Sequence, residues 1–157
     1  MKVFLSYSTA DLSLVNEIAN HIKKYGDVLY WYNSKVPGQE SWPTIFQWID
    51  SADLVLVVIT GNTVTRAMSV GQEIGRAKAK SKIIIPLVAP EVPASELGFL
   101  NGVTYQKIDP SNPGPALQQI NRVLHSHKQK IESDQSLIAF LGVVGLIWLG
   151  VALAKGK

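Results

Sequence analysis

The sequence predicts an α/β fold, a doubly wound parallel sheet of five strands. Two observations carry that reading. "LVLVVI" (54–59) and "IIIPLV" (83–88) are continuous apolar runs rather than alternating ones, which fits strands covered by helices on both faces. Apolar runs also alternate with amphipathic stretches in the order βαβαβαβ(α)βα, and that order requires right-handed crossovers between parallel strands. A chain of 157 residues holds one ordinary domain of this kind and little else.

The elements follow in order. "KVFLS" (2–6) is a short apolar run and the first strand. In "STADLSLVNEIANHIKKYG", Ser8 is placed to cap a helix, with Asp11 three residues on. Leu12, Val15, Ile18, Ala19 and Ile22 then form its apolar stripe, and Gly26 stops it. "VLYWY" (28–32) has the aromatic and branched content of a second strand, and "NSKVPGQES" (33–41) is a loop carrying Pro37 and Gly38. "WPTIFQWIDSA" is a helix after Ser41, with Pro43 near its first turn, where a missing N–H costs nothing. The two continuous runs flank a helix containing Glu73. "APEVPASELGFLNG" is a long connection with one short helix, "VTYQKI" a weaker fifth strand, and a last helix of the domain runs from Pro115 to about Leu124.

The rest of the chain changes class. "SHKQKIESD" (126–134) reads as a polar connector, and Gln135 to Ala154 are twenty residues without a charge. At ~1.5 Å per residue such a stretch matches a hydrocarbon core of ~30 Å. The expected organisation is a folded domain over 1–125, a juxtamembrane linker over 126–135, and a C-terminal transmembrane helix over 136–154 in the lipid bilayer. "MKVFLSYS" lacks the long apolar core and cleavage site of a secretory signal, so the domain is expected on the cytoplasmic side of the membrane.

Composition excludes several chemistries. With no cysteine there are no disulfides, thiolate nucleophiles or cysteine metal sites. His125 and His127 lie two apart, and His21 sits in an amphipathic helix with no evident partner, so no metal is expected. A net charge of +3, without a basic run interleaved with aromatics, gives no expectation of nucleic acid. There is no Walker phosphate loop, no G-x-G-x-x-G, no G-x-S-x-G elbow and no H-E-x-x-H.

In an open parallel sheet, ligands bind beyond the carboxyl ends of the strands, where strand order reverses. The loops expected there are "SYST", "NSKVPGQESW" and "TGNTVTRAMS", and Glu73 follows the third of them. Counted at about 100° per residue, Val70, Ile74 and Ala77 form one stripe of its helix, with Glu73 at the border. A carboxylate there is expected to be partly desolvated without being buried.

Three segments, "KVFLSYSTAD", "VPGQESWPTIFQWIDSADLVLVVIT" and "SVGQEIGRAKAKSKIIIPLV", together resemble the three boxes of a Toll/interleukin-1 receptor (TIR) domain, in order and at the right distances. The likeness covers roughly Met1 to Leu124 and implies the flavodoxin-like form of the sheet. Many bacterial and plant TIR domains, and an animal one active in axon degeneration, hydrolyse or cyclise NAD with a glutamate on the helix after the third strand. The resemblance assigns that catalytic role to Glu73. It further implies that Ser8 and Thr9 contact the dinucleotide and that Pro37, Gly38 and Trp42 belong to a loop closing over it. The flat aromatic face of Trp42 suits stacking on nicotinamide, and equally suits packing on the domain at the start of its helix. Ser69, also on the substrate side, stands where many members carry tryptophan four residues before the glutamate. "YWYNS" lacks the aspartate that many carry after the second strand.

The function so implied is a membrane-anchored NAD+ glycohydrolase or cyclase with no cofactor, NAD+ being the substrate. It would be activated by homo-oligomeric TIR–TIR assembly in bacterial anti-phage defence. Two alternatives stay open: a TIR adaptor without catalysis, joining other TIR domains through "NSKVPGQESW", and an unrelated flavodoxin-like nucleotide binder.

Overall fold

The computed structural model describes the backbone of residues 1–29, 42–64, 67–100 and 102–155; the side chains of Thr9, Val64, Ala67 and 135–155 lie outside the description. Five parallel strands form one sheet in the order β2-β1-β3-β4-β5. They are β1 (Lys2–Ser6), β2 (Asp27–Leu29), β3 (Leu54–Ile59), β4 (Ile83–Val88) and β5 (Gln106–Lys107). The helices are α1 (Leu12–Ile22), α2 (Trp42–Ser51), α3 (Gly61–Val64), α4 (Ala67–Ala79) and α5 (Gly114–Lys155). The expected α/β class and five-strand parallel sheet are therefore present. The chain steps outward from β1 to β2, then returns to β3 on the other flank of β1, so strand order reverses between β1 and β3.

Alternation along β1 sorts the two layers. Val3, Leu5 and Tyr7 join Val15, Ile18 and Ile22 of α1 and Leu117, Ile120 and Leu124 of α5 in one core. Phe4 points the other way, into a second core with Ile49 of α2 and Val70, Ile74 and Ala77 of α4. Each large side chain so buried contributes roughly 1.5–3 kcal/mol. All six residues of β3 are buried, as a central strand requires. β4 departs from expectation: its first half is partly exposed, with Ile83 at 36%, and only Pro86–Val88 is buried.

Local chemistry explains several boundaries. Ser8 does not cap α1: its Oγ accepts from the Ala10 N–H at 3.4 Å and starts a 3₁₀ turn over Thr9–Asp11, and α1 begins at Leu12. Gly26 passes against the Met1 carbonyl, which accepts from the Asp27 N–H at 3.0 Å, and a Cβ there would collide with that carbonyl. Of the expected second strand, Val28 and Leu29 are in the sheet, in a β2 that begins at Asp27, while Tyr30, Trp31 and Tyr32 lie outside the described residues. The third loop contains α3, and the connection after β4 holds two 3₁₀ turns, Ala94–Glu96 and Gly98–Leu100, rather than one short helix.

The polar stretch 126–134 is not an irregular connector. It continues α5, a helix of 42 residues, or roughly 63 Å at 1.5 Å per residue. Leu124 is its last buried side chain among the described residues. α5 is joined to α1 by a hydrogen bond of 2.6 Å between His21 Nε2 and Asn121 Oδ1. Among the described residues no helix is long and apolar enough to cross a membrane. The transmembrane helix expected over 136–154 therefore has no support there; its side chains lie outside the described residues.

Candidate functional site

Ser6 is the last residue of β1 and a polar one in an otherwise apolar strand. By alternation it faces the same way as Phe4, toward α4. There its hydroxyl donates to Glu73 Oε2. Both are buried, Ser6 at 2% and Glu73 at 8% exposure. The expectation of a half-solvated border carboxylate is thus corrected: Glu73 lies against the end of β1, within the layer of Val70, Ile74 and Ala77. An ionised carboxylate withdrawn from water without a donor costs several kcal/mol, and the Ser6 hydroxyl supplies a donor to Glu73 at this depth.

A second polar network ties the β1 and β3 ends together. Asp11, in the turn after β1, accepts from Thr60 Oγ1 at 2.6 Å through Oδ2 and from Asn62 Nδ2 at 2.8 Å through Oδ1. The Thr60 hydroxyl also accepts from the Asn62 N–H at 3.1 Å. Thr63, fully buried, accepts from the Thr60 N–H at 3.0 Å and donates to the Val58 carbonyl at 3.1 Å. The loops flanking the point of strand reversal are thereby clasped to each other. Nearby, Glu91 Oε1 accepts from the Gly61 N–H at 3.3 Å.

The other sequence-derived positions are spread around this centre. Ser8 is buried, its hydroxyl engaged in the turn that follows β1. Thr9 contributes backbone to that turn, its side chain lying outside the description, and Pro37 and Gly38 lie outside the described residues. Ser69 is half-buried on α4, one turn before Glu73 and on the same side of the helix. Trp42 opens α2, its ring 5.3 Å from that of Phe46 and tilted by 42°. With Phe46, Gln72 and Arg76 it lines an open groove of about 450 Å³ between α2 and α4.

Arg76 forms part of the wall of that groove. Its guanidinium lies 5.3 Å from the centre of the Phe46 ring and grips Asp50 with both arms, Nε to Oδ1 at 2.8 Å and Nη2 to Oδ2 at 2.5 Å. The Arg76 hydrogen bonds hold the Asp50 carboxyl below its usual value of 3.8, against the opposing cost of desolvation and with help from the Arg76, Lys80 and Lys82 charges. The same hydrogen bonds raise Arg76. Lys82 Nζ also donates to the Asp50 carbonyl at 2.8 Å. Among the described residues there is no cluster of His, Asp and Glu suited to a metal ion.

Sequence reasoning missed Ser6, Asp11, Thr60, Asn62 and Thr63. For Ser6 a signal existed: a hydroxyl inside a strand buried on both faces must find a partner. The partners in the Asp11 network lie about fifty residues apart along the chain and left no comparable pattern.

The family model for the TIR domain matches residues 3–124. No curated protein matches the chain. Among solved structures it is similar to a prokaryotic SEFIR domain, with TM-score 0.56 and 18% identity over 78% of this chain and 91% of that one. It is similar to the CMP N-glycosidase BcmB of Clostridium botulinum, with TM-score 0.55 and 22% identity over 77% of this chain and 99% of that one. It is also similar to a 2-deoxyribosyltransferase of Bacillus psychrosaccharolyticus, with TM-score 0.52 and 16% identity over 67% of this chain and 85% of that one. At these identities the likeness shows a shared fold.

Proposed function

Because the chain belongs to the TIR domain family, whose model spans residues 3–124, we propose that it is an NAD+ glycohydrolase or cyclase, with Glu73 as its catalytic carboxylate. One observation carries the reading: Glu73 is a buried acidic side chain held by Ser6 at the carboxyl end of β1, beside the reversal of strand order. That is where an open parallel sheet binds its ligands. The fold also accommodates a CMP N-glycosidase and a 2-deoxyribosyltransferase, so chemistry at a nucleoside's N-glycosidic bond is compatible with this architecture.

The reaction suits one carboxylate. The bond between nicotinamide and the ribose anomeric carbon breaks, and nicotinamide departs as a neutral molecule with the bonding electron pair, so no general acid is needed. Positive charge develops at the anomeric carbon in an oxocarbenium-like transition state. A fixed carboxylate stabilises that charge and accepts hydrogen bonds from the ribose hydroxyls. Water adds to the anomeric carbon and loses a proton, giving ADP-ribose; an attacking group within the product gives a cyclised form instead. In this reading Ser8, Thr9, Ser69, Pro37, Gly38 and Trp42 contact the dinucleotide, with Trp42 as the stacking surface.

The finer features belong to the same proposal. The apolar stretch 136–154 anchors the protein in a bilayer with the TIR domain on the cytoplasmic side, and confinement to two dimensions raises the effective concentration for TIR–TIR assembly. Such a protein fits signalling in bacterial innate immunity against phage. The test is nicotinamide release from NAD+ by the full chain, concentrated in lipid vesicles, compared with Glu73→Gln. Turnover that falls at least about 100-fold in the variant supports the enzyme. Absence of turnover by the assembled wild-type protein leaves the non-catalytic adaptor.

A further inference from the structure

We infer that Ser6 is a positioning residue for the reaction at Glu73, its hydroxyl fixing the plane of the carboxylate that faces the anomeric carbon. The inference rests on the glycohydrolase reading above and adds a residue to it. The Ser6 hydroxyl donates to Glu73 and Ser6 is sealed from solvent at 2% exposure, so it acts through the carboxylate rather than on the substrate.

Three features make the contact a device rather than an incidental pairing. Ser6 sits at the end of β1, where its backbone registers opposite Val57 of β3, two residues past the last pairing with β2. Its pairing with β3 limits the movement of its Cα, so the hydroxyl is aimed mainly by χ1. The neighbouring positions on the same face, Phe4 of β1 and Val70, Ile74 and Ala77 of α4, are apolar and buried. A carboxylate side chain has three rotatable bonds, and the hydroxyl on the strand gives it a directional contact beside these apolar side chains. Catalytic groups held by a supporting hydrogen bond on a regular element keep the geometry that a loop does not.

The pairing also explains why β1 ends as it does. An Ala at 6 would satisfy the packing of the strand and leave Glu73 with one donor fewer in a buried place, a cost borne by the charged carboxylate. A Thr keeps the hydroxyl and the strand propensity.

The test compares Ser6→Ala and Ser6→Thr in the full chain, reading both turnover and the Glu73 side-chain carboxyl ¹³C signal, assigned by its disappearance in Glu73→Gln. In Ser6→Ala the expected result is a fall in kcat on the order of 10-fold with KM for NAD+ little changed, together with a displaced carboxyl signal. In Ser6→Thr both return toward wild type, which separates loss of the hydroxyl from loss of fold. Wild-type kinetics and an unmoved carboxyl signal in Ser6→Ala overturn the inference. A wild-type protein that releases no nicotinamide overturns the glycohydrolase reading and Ser6's part in it, and the carboxyl signal then reports separately whether the hydrogen bond exists.

Discussion

Thr60 and Asp11, forty-nine positions apart in the chain, meet across the carboxyl edge of the sheet: the Thr60 hydroxyl donates to Asp11 Oδ2 at 2.6 Å, while Asn62 Nδ2 donates to the other oxygen at 2.8 Å. The turn after β1 and the turn after β3 are therefore one mechanical unit, and Glu73 enters the site on the helix that follows the second of them.

Removing Asp11 should loosen that unit. Asp11→Ala removes the acceptor of the part-buried Thr60 hydroxyl and an exposed hydrogen bond from Asn62, and the expected loss is about 1–3 kcal/mol in chemical unfolding. Thr60→Val removes the donor instead. If the two side chains act as a pair, the double variant loses less than the sum of the singles by about 1 kcal/mol. Strict additivity would show that the two turns are held by other contacts.

How much of this was legible in the sequence follows from the range of the interactions. The unbroken apolar run 54–59 announced the central strand β3, because burial on both faces leaves no room for polar residues, and the run 83–88 marked β4, whose first half is nonetheless partly exposed. Helix α2 began where Pro43 and Ser41 predicted. Glu73 was placed on the right helix, but its depth was not legible, since a helical wheel shows the stripe and not the hydroxyl on β1 that draws a border residue inward. The continuation of α5 through 126–134 was missed for a different reason. Charged residues there suggested a linker, yet no glycine or proline interrupts Ala116–Leu141, and a polar stretch without a breaker is free to stay helical.

The Asp50–Arg76 pair should show its presence only above acid pH. Asp50 has a folded-state value below the unfolded carboxylate value, so its contribution is complete above about 4 and is lost as pH falls through the lowered folded value. Asp50→Asn should therefore lower the thermal midpoint relative to wild type at pH 6–7, and the gap should close as the pH drops below about 4. Added salt should narrow the gap at neutral pH, because both side chains remain about one-third exposed. A gap that is constant from pH 7 to pH 2 would mean that Asp50 acts through its shape and not its charge.

Leu124 marks where α5 leaves the body of the domain. It is fully buried against α1 and the sheet, whereas Ile131, two turns on, is half-exposed and no side chain beyond Leu124 is buried among the described residues. Leu124→Ala should cost about 2–5 kcal/mol, as truncations of fully enclosed leucines do, because the rigid sheet beneath cannot collapse into the space. Ile131→Ala should cost less than about 1 kcal/mol, since it removes apolar area that already meets water. Urea unfolding of the full chain in detergent, followed by tryptophan fluorescence, separates the two. Equal losses would place the second half of α5 on the domain rather than projecting from it, and the rod that the helix forms beyond Leu124 would then be part of the core.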